Sequence, residues 1–227
     1  MELGINLCFA IKRWPEPERW AAIVADDLGL RSVQFTLDLI DPWWPVPVRS
    51  AAAARARAEA ASRGIAIHSV QIGLAGYPYN GLLHPDANVR EVARDWWRRS
   101  IDLAAELGAG AAGGPLGALS ATDAASPARR EALRTGLLED VHALAEHARA
   151  AGLGALLVEP TPLPREIPST VAETERLLAD CAGAAVPLRL VLDVGHALHR
   201  PLYGDGVTLG DSLRPLADHV GALAACR

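Results

Sequence analysis

One short unit recurs along the chain: an amphipathic stretch, a glycine, then a brief apolar run. It occurs as Leu28-Gly29-Leu30 ahead of Ser32-Val33-Gln34-Phe35-Thr36-Leu37, and as Arg63-Gly64-Ile65 ahead of Ala66-Ile67-His68-Ser69-Val70. Weaker copies are Leu107-Gly108-Ala109 and Ala151-Gly152-Leu153, the latter before Ala155-Leu156-Leu157-Val158. Glycine has no Cβ to resist the left-handed conformation that ends a helix, so each copy reads as helix stop, turn, strand. The spacing, roughly 30 to 45 residues, is that of a βα unit.

Helix starts fall between these stops. Asn88 with Glu91 three residues on predicts a capping box for a helix through Trp96, Ile101 and Leu107. Ser126-Pro127 predicts a cap and first-turn proline ahead of Leu133, Leu137, Val141, Leu144 and Ala148, an apolar stripe of helical period. Thr170 with Glu173 repeats the box before Val171, Leu177, Leu178 and Cys181. Strands are expected near 3–8, 32–37, 65–70, 109–113, 154–159, 188–193 and 219–224, with a short helix near 208–217. Their continuous apolar character suits a parallel sheet buried on both faces.

Strict alternation of strand and helix gives an α/β fold. No G-x-G-x-x-G follows the first strand, where Asn6-Leu7-Cys8-Phe9 stands, and no Walker A sequence occurs, which removes the common nucleotide-binding folds. The remaining arrangement is a (β/α)8 barrel of the TIM type, typically about 250 residues long. Seven strands are legible, so residues 1–227 are expected to form one such domain with its last βα unit missing. Such an opening would expose two strand edges for a partner to cover, and a homo-oligomer is left open.

Composition narrows the setting. Half the residues are hydrophobic and 22% charged, enough for a packed core. Charges or prolines interrupt every apolar run before the roughly 18 residues of a membrane span, and Met1-Glu2-Leu3-Gly4-Ile5 lacks the basic opening of a signal peptide. Three scattered cysteines, Cys8, Cys181 and Cys226, suit a reducing cytoplasm. A net charge of -5 argues against nucleic acid. Lys12 is the sole lysine, which reflects an arginine-rich codon bias rather than chemistry.

In a barrel of this type, side chains at the C-terminal ends of strands face the active site. The fifth strand ends in Val158-Glu159-Pro160 and the sixth in Leu192-Asp193-Val194-Gly195-His196. Asp193 and His196 can converge from one tight loop, and with Glu159 they form an oxygen-rich set suited to a divalent metal. The plainer readings are an ion pair of Glu159 with Arg165 or Arg189, and a capping Asp193 beside a core histidine. His68 within the third strand reads either as a rim histidine touching substrate or metal, or as an interior histidine bonded to a neighbouring strand. His84, His142, His147, His199 and His219 are not expected to be ligands, the two on the long helix being solvated.

Aromatic residues are skewed, with 6 Trp against 2 Phe, and Trp14, Trp43, Trp44, Tyr77 and Tyr79 fall in βα loops. Indoles such as Trp14 and Trp44 offer stacking surface for a sugar, while Trp43-Trp44 also suits a lid or subunit contact. Arg165, in Pro164-Arg165-Glu166-Ile167-Pro168, is placed to meet a substrate anion near a helix start, or is a surface arginine.

The stretches Ile67-His68-Ser69-Val70, Leu157-Val158-Glu159-Pro160 and Leu190-Val191-Leu192-Asp193-Val194-Gly195-His196 resemble the xylose isomerase-like barrel superfamily, the sugar phosphate isomerases and epimerases that include the tagatose 3-epimerase group. The resemblance runs from residue 3 to about 223, and the Asp-x-Gly-His stretch is its most specific part. It implies a cytoplasmic enzyme using a divalent metal, manganese first with magnesium, cobalt or zinc as alternatives. The substrate is then a small sugar or sugar phosphate, and the reaction a proton transfer through an enediolate. By position, Glu159 is similar to the first metal-binding glutamate, which is also an acid/base group, Asp193 to the metal-binding aspartate, and His196 to the histidine on a substrate oxygen near the metal.

The family also draws a histidine from strand seven and a glutamate from strand eight. Here His219-Val220-Gly221-Ala222-Leu223 is followed only by Ala224-Ala225-Cys226-Arg227, so both ligands are expected to be lacking and metal binding weakened. The alternatives are an inosose-type dehydratase on the same barrel, a catalytically impaired truncated or remnant isomerase, and an endonuclease IV-type nuclease. The last needs further zinc histidines that Ala109-Gly110-Ala111-Ala112-Gly113-Gly114 does not supply.

Overall fold

The computed structural model describes residues 2–197 and 214–224. All four glycines of the repeat take the left-handed backbone that the repeat requires: Gly29 at φ 65°, Gly64 at 66°, Gly108 at 76° and Gly152 at 88°. After each, the chain enters a strand. The strands are β1 (Ile5–Asn6), β2 (Ser32–Thr36), β3 (Ala66–Gln71), β4 (Ala111–Gly114), β5 (Ala155–Val158), β6 (Leu188–Asp193) and β7 (Val220–Ala224). All pair in parallel with the next in sequence, giving the order β1 to β7 in one curled sheet of TIM-barrel type.

Between the strands run α1 (Pro17–Ala22), continued by a π turn through Asp27, then α2 (Val46–Ser62), α3 (Ala87–Leu107), α4 (Ala121–Ala124), α5 (Pro127–Ala151), α6 (Val171–Asp180) and α7 (Val194–Ala197). A 3-10 turn over Arg214–His219 stands where the short helix near 208–217 was expected; residues 208–213 lie outside the described residues, as do His199 and Cys226. No helix among the described residues is long and apolar enough to cross a membrane. Cys8 is exposed, Cys181 is buried, and both are free thiols.

The core lies between sheet and helices, where Trp20, Phe35, Ile101, Leu107, Leu137 and Leu144 are almost fully buried. At Gly113 a side chain is sterically impossible, because a Cβ there would sit 1.8 Å from the Leu157 carbonyl oxygen. That close approach ties β4 to β5, the strand that carries Glu159 at its end.

Local expectations were met unevenly. Ser126 caps α5 with Pro127 in its first turn, and the Thr170 hydroxyl accepts the Glu173 N–H at 3.2 Å. The box at Asn88 is not formed. Asp86 caps α3 instead, its carboxylate accepting the Asn88 N–H at 2.8 Å, and Glu91 pairs with Arg94 and Arg98. A carboxylate is the better acceptor at the positive end of a helix, so the cap shifts two residues forward. The first strand stops at Asn6, whose side chain accepts the Cys8 N–H at 2.8 Å and turns Leu7–Ala10 into a 3-10 helix. His147 is not merely solvated: it lies 2.7 Å from Asp102 and ties α5 to α3.

Candidate active site

Two buried carboxylates and an imidazole meet at the C-terminal ends of β5 and β6. Glu159 is 4% exposed and Asp193 5%, with His196 half-buried beside them. One ligand atom from each lies within 4.8 Å of the other two. The geometry follows from the register: β5 and β6 are adjacent, and each acid comes directly at or after the last apolar strand residue. The Asp193 Oδ1 accepts the Gly195 N–H at 2.7 Å and so shapes α7, which swings the His196 ring back over the strand ends. There, His196 Nδ1 lies 3.3 Å from Glu159 Oε1, and His196 Nε2 lies 3.9 Å from Asp193 Oδ2. The capping reading of Asp193 therefore describes one of its oxygens and the cluster reading describes the other.

Glu159 is held from a second side. The Tyr77 hydroxyl donates to Glu159 Oε2 at 2.6 Å, and the Gln71 amide, at the end of β3, donates to the same oxygen. Burial pushes the Glu159 carboxyl above its ordinary range and Asp193 adds to the effect, against the stabilising pull of Tyr77, His196 and Gln71. Burial and the negative neighbours likewise push the Tyr77 phenol up. Neither arginine offered as a partner reaches Glu159. Arg165 donates to the Leu119 carbonyl at 3.1 Å and Arg189 to the Asp218 carbonyl at 2.9 Å, so the ion-pair reading fails. These observations fit a cation: the donors are oxygen and nitrogen, and the carboxylates are buried. The His196 Nδ1 is also buried, and its 3.3 Å approach to Glu159 Oε1 is a charge contact without hydrogen-bond geometry.

A third carboxyl stands at the same rim. Glu166 is 5% exposed, in the loop after β5, where an antiparallel bridge to Ala118 and a bond from the Leu119 N–H to the Arg165 carbonyl fix the backbone. Burial raises its carboxyl to about 7, with Glu159 adding to the rise and Arg165 opposing it. Sequence reasoning passed over Glu166 in favour of Arg165, and took Tyr77 only as a loop aromatic. Gln71 lay one residue past the expected strand end. The signal that finds Glu159 also finds Gln71, since both are polar residues closing an apolar strand.

The remaining candidates are not brought to the cluster. His68 is the extra residue in a register shift, where Val33 pairs with Ile67 but Gln34 with Ser69, and it is exposed. It sits three residues before the end of β3 and is not among the residues that converge with Glu159. Trp14, half-buried after β1, packs edge-on to Phe9 with the guanidinium groups of Arg13 and Arg19 over its ring. Trp44 is 39% exposed in the loop after β2, and its neighbour Trp43 lies under Arg99. β4 brings no histidine, against a nuclease site.

The chain is 31% identical over 203 residues, 86% of its length, to a D-erythrulose 1-phosphate 3-epimerase of Brucella abortus (strain 2308), and spans 64% of the length of that protein. A solved structure of a xylose isomerase candidate from Rhodospirillum rubrum ATCC 11170 superposes with a TM-score of 0.95 at 41% identity, covering 99% of this chain and 76% of that one. D-psicose 3-epimerase from Clostridium cellulolyticum H10, solved with D-tagatose, shares the fold at a TM-score of 0.73 and 18% identity, covering 99% and 73% of the two chains. The profile of the xylose isomerase-like TIM barrels matches residues 22–225. With a seven-stranded parallel barrel sheet and acids at the strand ends, this chain belongs to the xylose isomerase-like TIM barrel family.

Proposed function

We propose that this chain is a divalent-metal-dependent epimerase or isomerase of a small sugar or sugar phosphate. The convergence of Glu159, Asp193 and His196 on one point carries the reading, and the name of the Brucella relative supports a ketose phosphate as substrate class. The three residues would hold the cation, manganese first. When bound, it supplies Lewis acidity to neighbouring oxygens of a ketose and so acidifies the C–H beside the carbonyl.

Glu159 takes that proton. Its burial keeps the carboxylate poorly solvated and therefore basic, while Gln71 and Tyr77 hold it in one orientation. Glu166, with a carboxyl near 7, carries a proton in about half of the molecules at neutral pH and is suited to return one. Return to the same carbon from the opposite face epimerises the sugar; return to the neighbouring carbon isomerises it. Trp14 and Trp44 supply stacking surface on the loops after β1 and β2, and Arg165, next to Glu166 in sequence and with its guanidinium donating to the Leu119 carbonyl, is the cation that would meet a substrate anion. The free thiols of Cys8 and Cys181 suit a cytoplasmic setting.

The test is product analysis by NMR on ketoses and ketose 1-phosphates with added Mn²⁺. An epimer or an aldose of unchanged mass supports the reading. A product lighter by one water assigns the site to a dehydratase, and no conversion of any ketose overturns it.

A further inference from the structure

We propose that Tyr77 is a positioning residue: its hydroxyl, carried on a strap that Asp38 anchors, works with the Gln71 amide to fix Oε2 of Glu159, so that Oε1 is the oxygen turned to His196. The inference deepens the functional reading above and rests on it for its consequence in catalysis, though not for its geometry.

The strap is the Gly73–Tyr77 segment that follows β3. At its base the Asp38 carboxylate accepts the Leu74 N–H with both oxygens, at 3.1 and 3.0 Å, and Oδ2 also accepts the Thr36 hydroxyl at 2.8 Å. Gly73 passes so close that a Cβ would lie 2.5 Å from Asp38 Oδ2, and its φ of 75° is one that side chains resist. The 3-10 turn Leu74–Gly76 then lies against Ile72, whose Cδ1 would be 2.6 Å from a Cβ on Gly76. With both contacts made, Tyr77 is delivered over the strand ends.

The hydroxyl is fully engaged there. It accepts from Gln71 Nε2 at 3.3 Å and donates to Glu159 Oε2 at 2.6 Å. Gln71 commits its amide N–H groups to these two neighbours, leaving its own Oε1 buried with no partner. An unpaired buried carbonyl is destabilising, which a freely chosen rotamer would avoid. The fold tolerates that cost to place two donors on one carboxylate oxygen. Tyr77 is 37% exposed, so packing alone does not account for its position.

The experiment uses protein labelled with ¹³C at glutamate carboxyls. The Glu159 resonance is assigned by its loss in Glu159→Gln and is read without metal or substrate. Tyr77→Phe, which keeps the ring, is expected to move it, and Asp38→Asn to move it the same way by loosening the strap. With Mn²⁺ alone as probe, Tyr77→Phe should weaken binding by roughly 10- to 100-fold, the usual effect of losing a hydrogen bond to a metal ligand. In a Glu159→Gln background the same change should alter Mn²⁺ affinity by less than about twofold, because the coupling runs through that carboxylate. On a ketose that is turned over, kcat should fall while KM holds.

A Glu159 resonance unmoved in Tyr77→Phe overturns the inference, as does an equal loss of Mn²⁺ affinity in both backgrounds. An unmoved resonance in Asp38→Asn removes the anchor. A wild-type chain that binds no Mn²⁺ overturns the functional reading instead, and the metal-free resonance still decides this one.

Discussion

Replacing Glu166 by glutamine should change how stability depends on pH, and by an amount the structure sets. The Glu166 carboxyl titrates near 7 in the fold against an ordinary 4.5, because it is 5% exposed and faces Glu159. Between those two values the folded chain holds a proton that the unfolded chain has released, so stability falls as pH rises. Below 4.5 both states are neutral at this residue and the penalty vanishes; above 7 it is complete. At about 1.4 kcal/mol per pH unit the full penalty is about 3.5 kcal/mol. Glutamine has the same shape and does not titrate. Urea unfolding from pH 4 to 8.5 would follow both proteins, and other groups largely cancel in the difference. Glu166→Gln should gain on wild type by about 3.5 kcal/mol between pH 4.5 and 7, then hold that lead. A difference that stays flat across the range would refute the burial argument and remove Glu166 as a proton-holding group.

Three further outcomes follow from other parts of the structure. Mn²⁺ at about a hundred times its dissociation constant should stabilise the fold by about 2.7 kcal/mol in thermal melts, an effect that chelation or Asp193→Asn abolishes; equal shifts in wild type and variant would place the ion elsewhere. Gly113→Ala should cost at least about 4 kcal/mol or prevent folding, since its Cβ would fall on the Leu157 carbonyl; a near-normal urea midpoint would mean that β4 and β5 are spaced more widely. Arg49→Ala should cost about 3 kcal/mol by orphaning Glu106, its partner at 2.6 Å between α2 and α3. The pair Arg49→Met with Glu106→Met should recover most of that loss in chemical denaturation, and a double variant as weak as the single one would contradict the reading.

The barrel was legible because its signals are local. A glycine that must take positive φ marks each helix end whatever surrounds it, and all four did so. Glu159 and Asp193 were legible for a related reason: a carboxylate closing a buried strand has few roles other than chemistry. What remained hidden depends on contacts distant in sequence. Tyr77 reaches Glu159 across 82 positions and Gln71 across 88, through a strap whose anchor, Asp38, lies on another loop. The burial of Glu166 comes from the bridge to Ala118, which no local pattern announces. The exposure of His68 was hidden too, because a register shift at Val33/Gln34 offsets the alternation of β3. The cap of α3 misled because two side chains, Asp86 and Asn88, compete for the same helix end.

The central claim is that Glu159 moves a proton at a cation site on the barrel rim. Its most direct measurement is deuterium incorporation from D2O into a ketose or ketose 1-phosphate, followed by proton NMR with Mn²⁺ present. Wild type should exchange the hydrogen on the carbon beside the carbonyl, and Glu159→Gln, folded and with unchanged secondary structure by circular dichroism, should exchange none above the background rate. Exchange at the wild-type rate in Glu159→Gln would contradict the account.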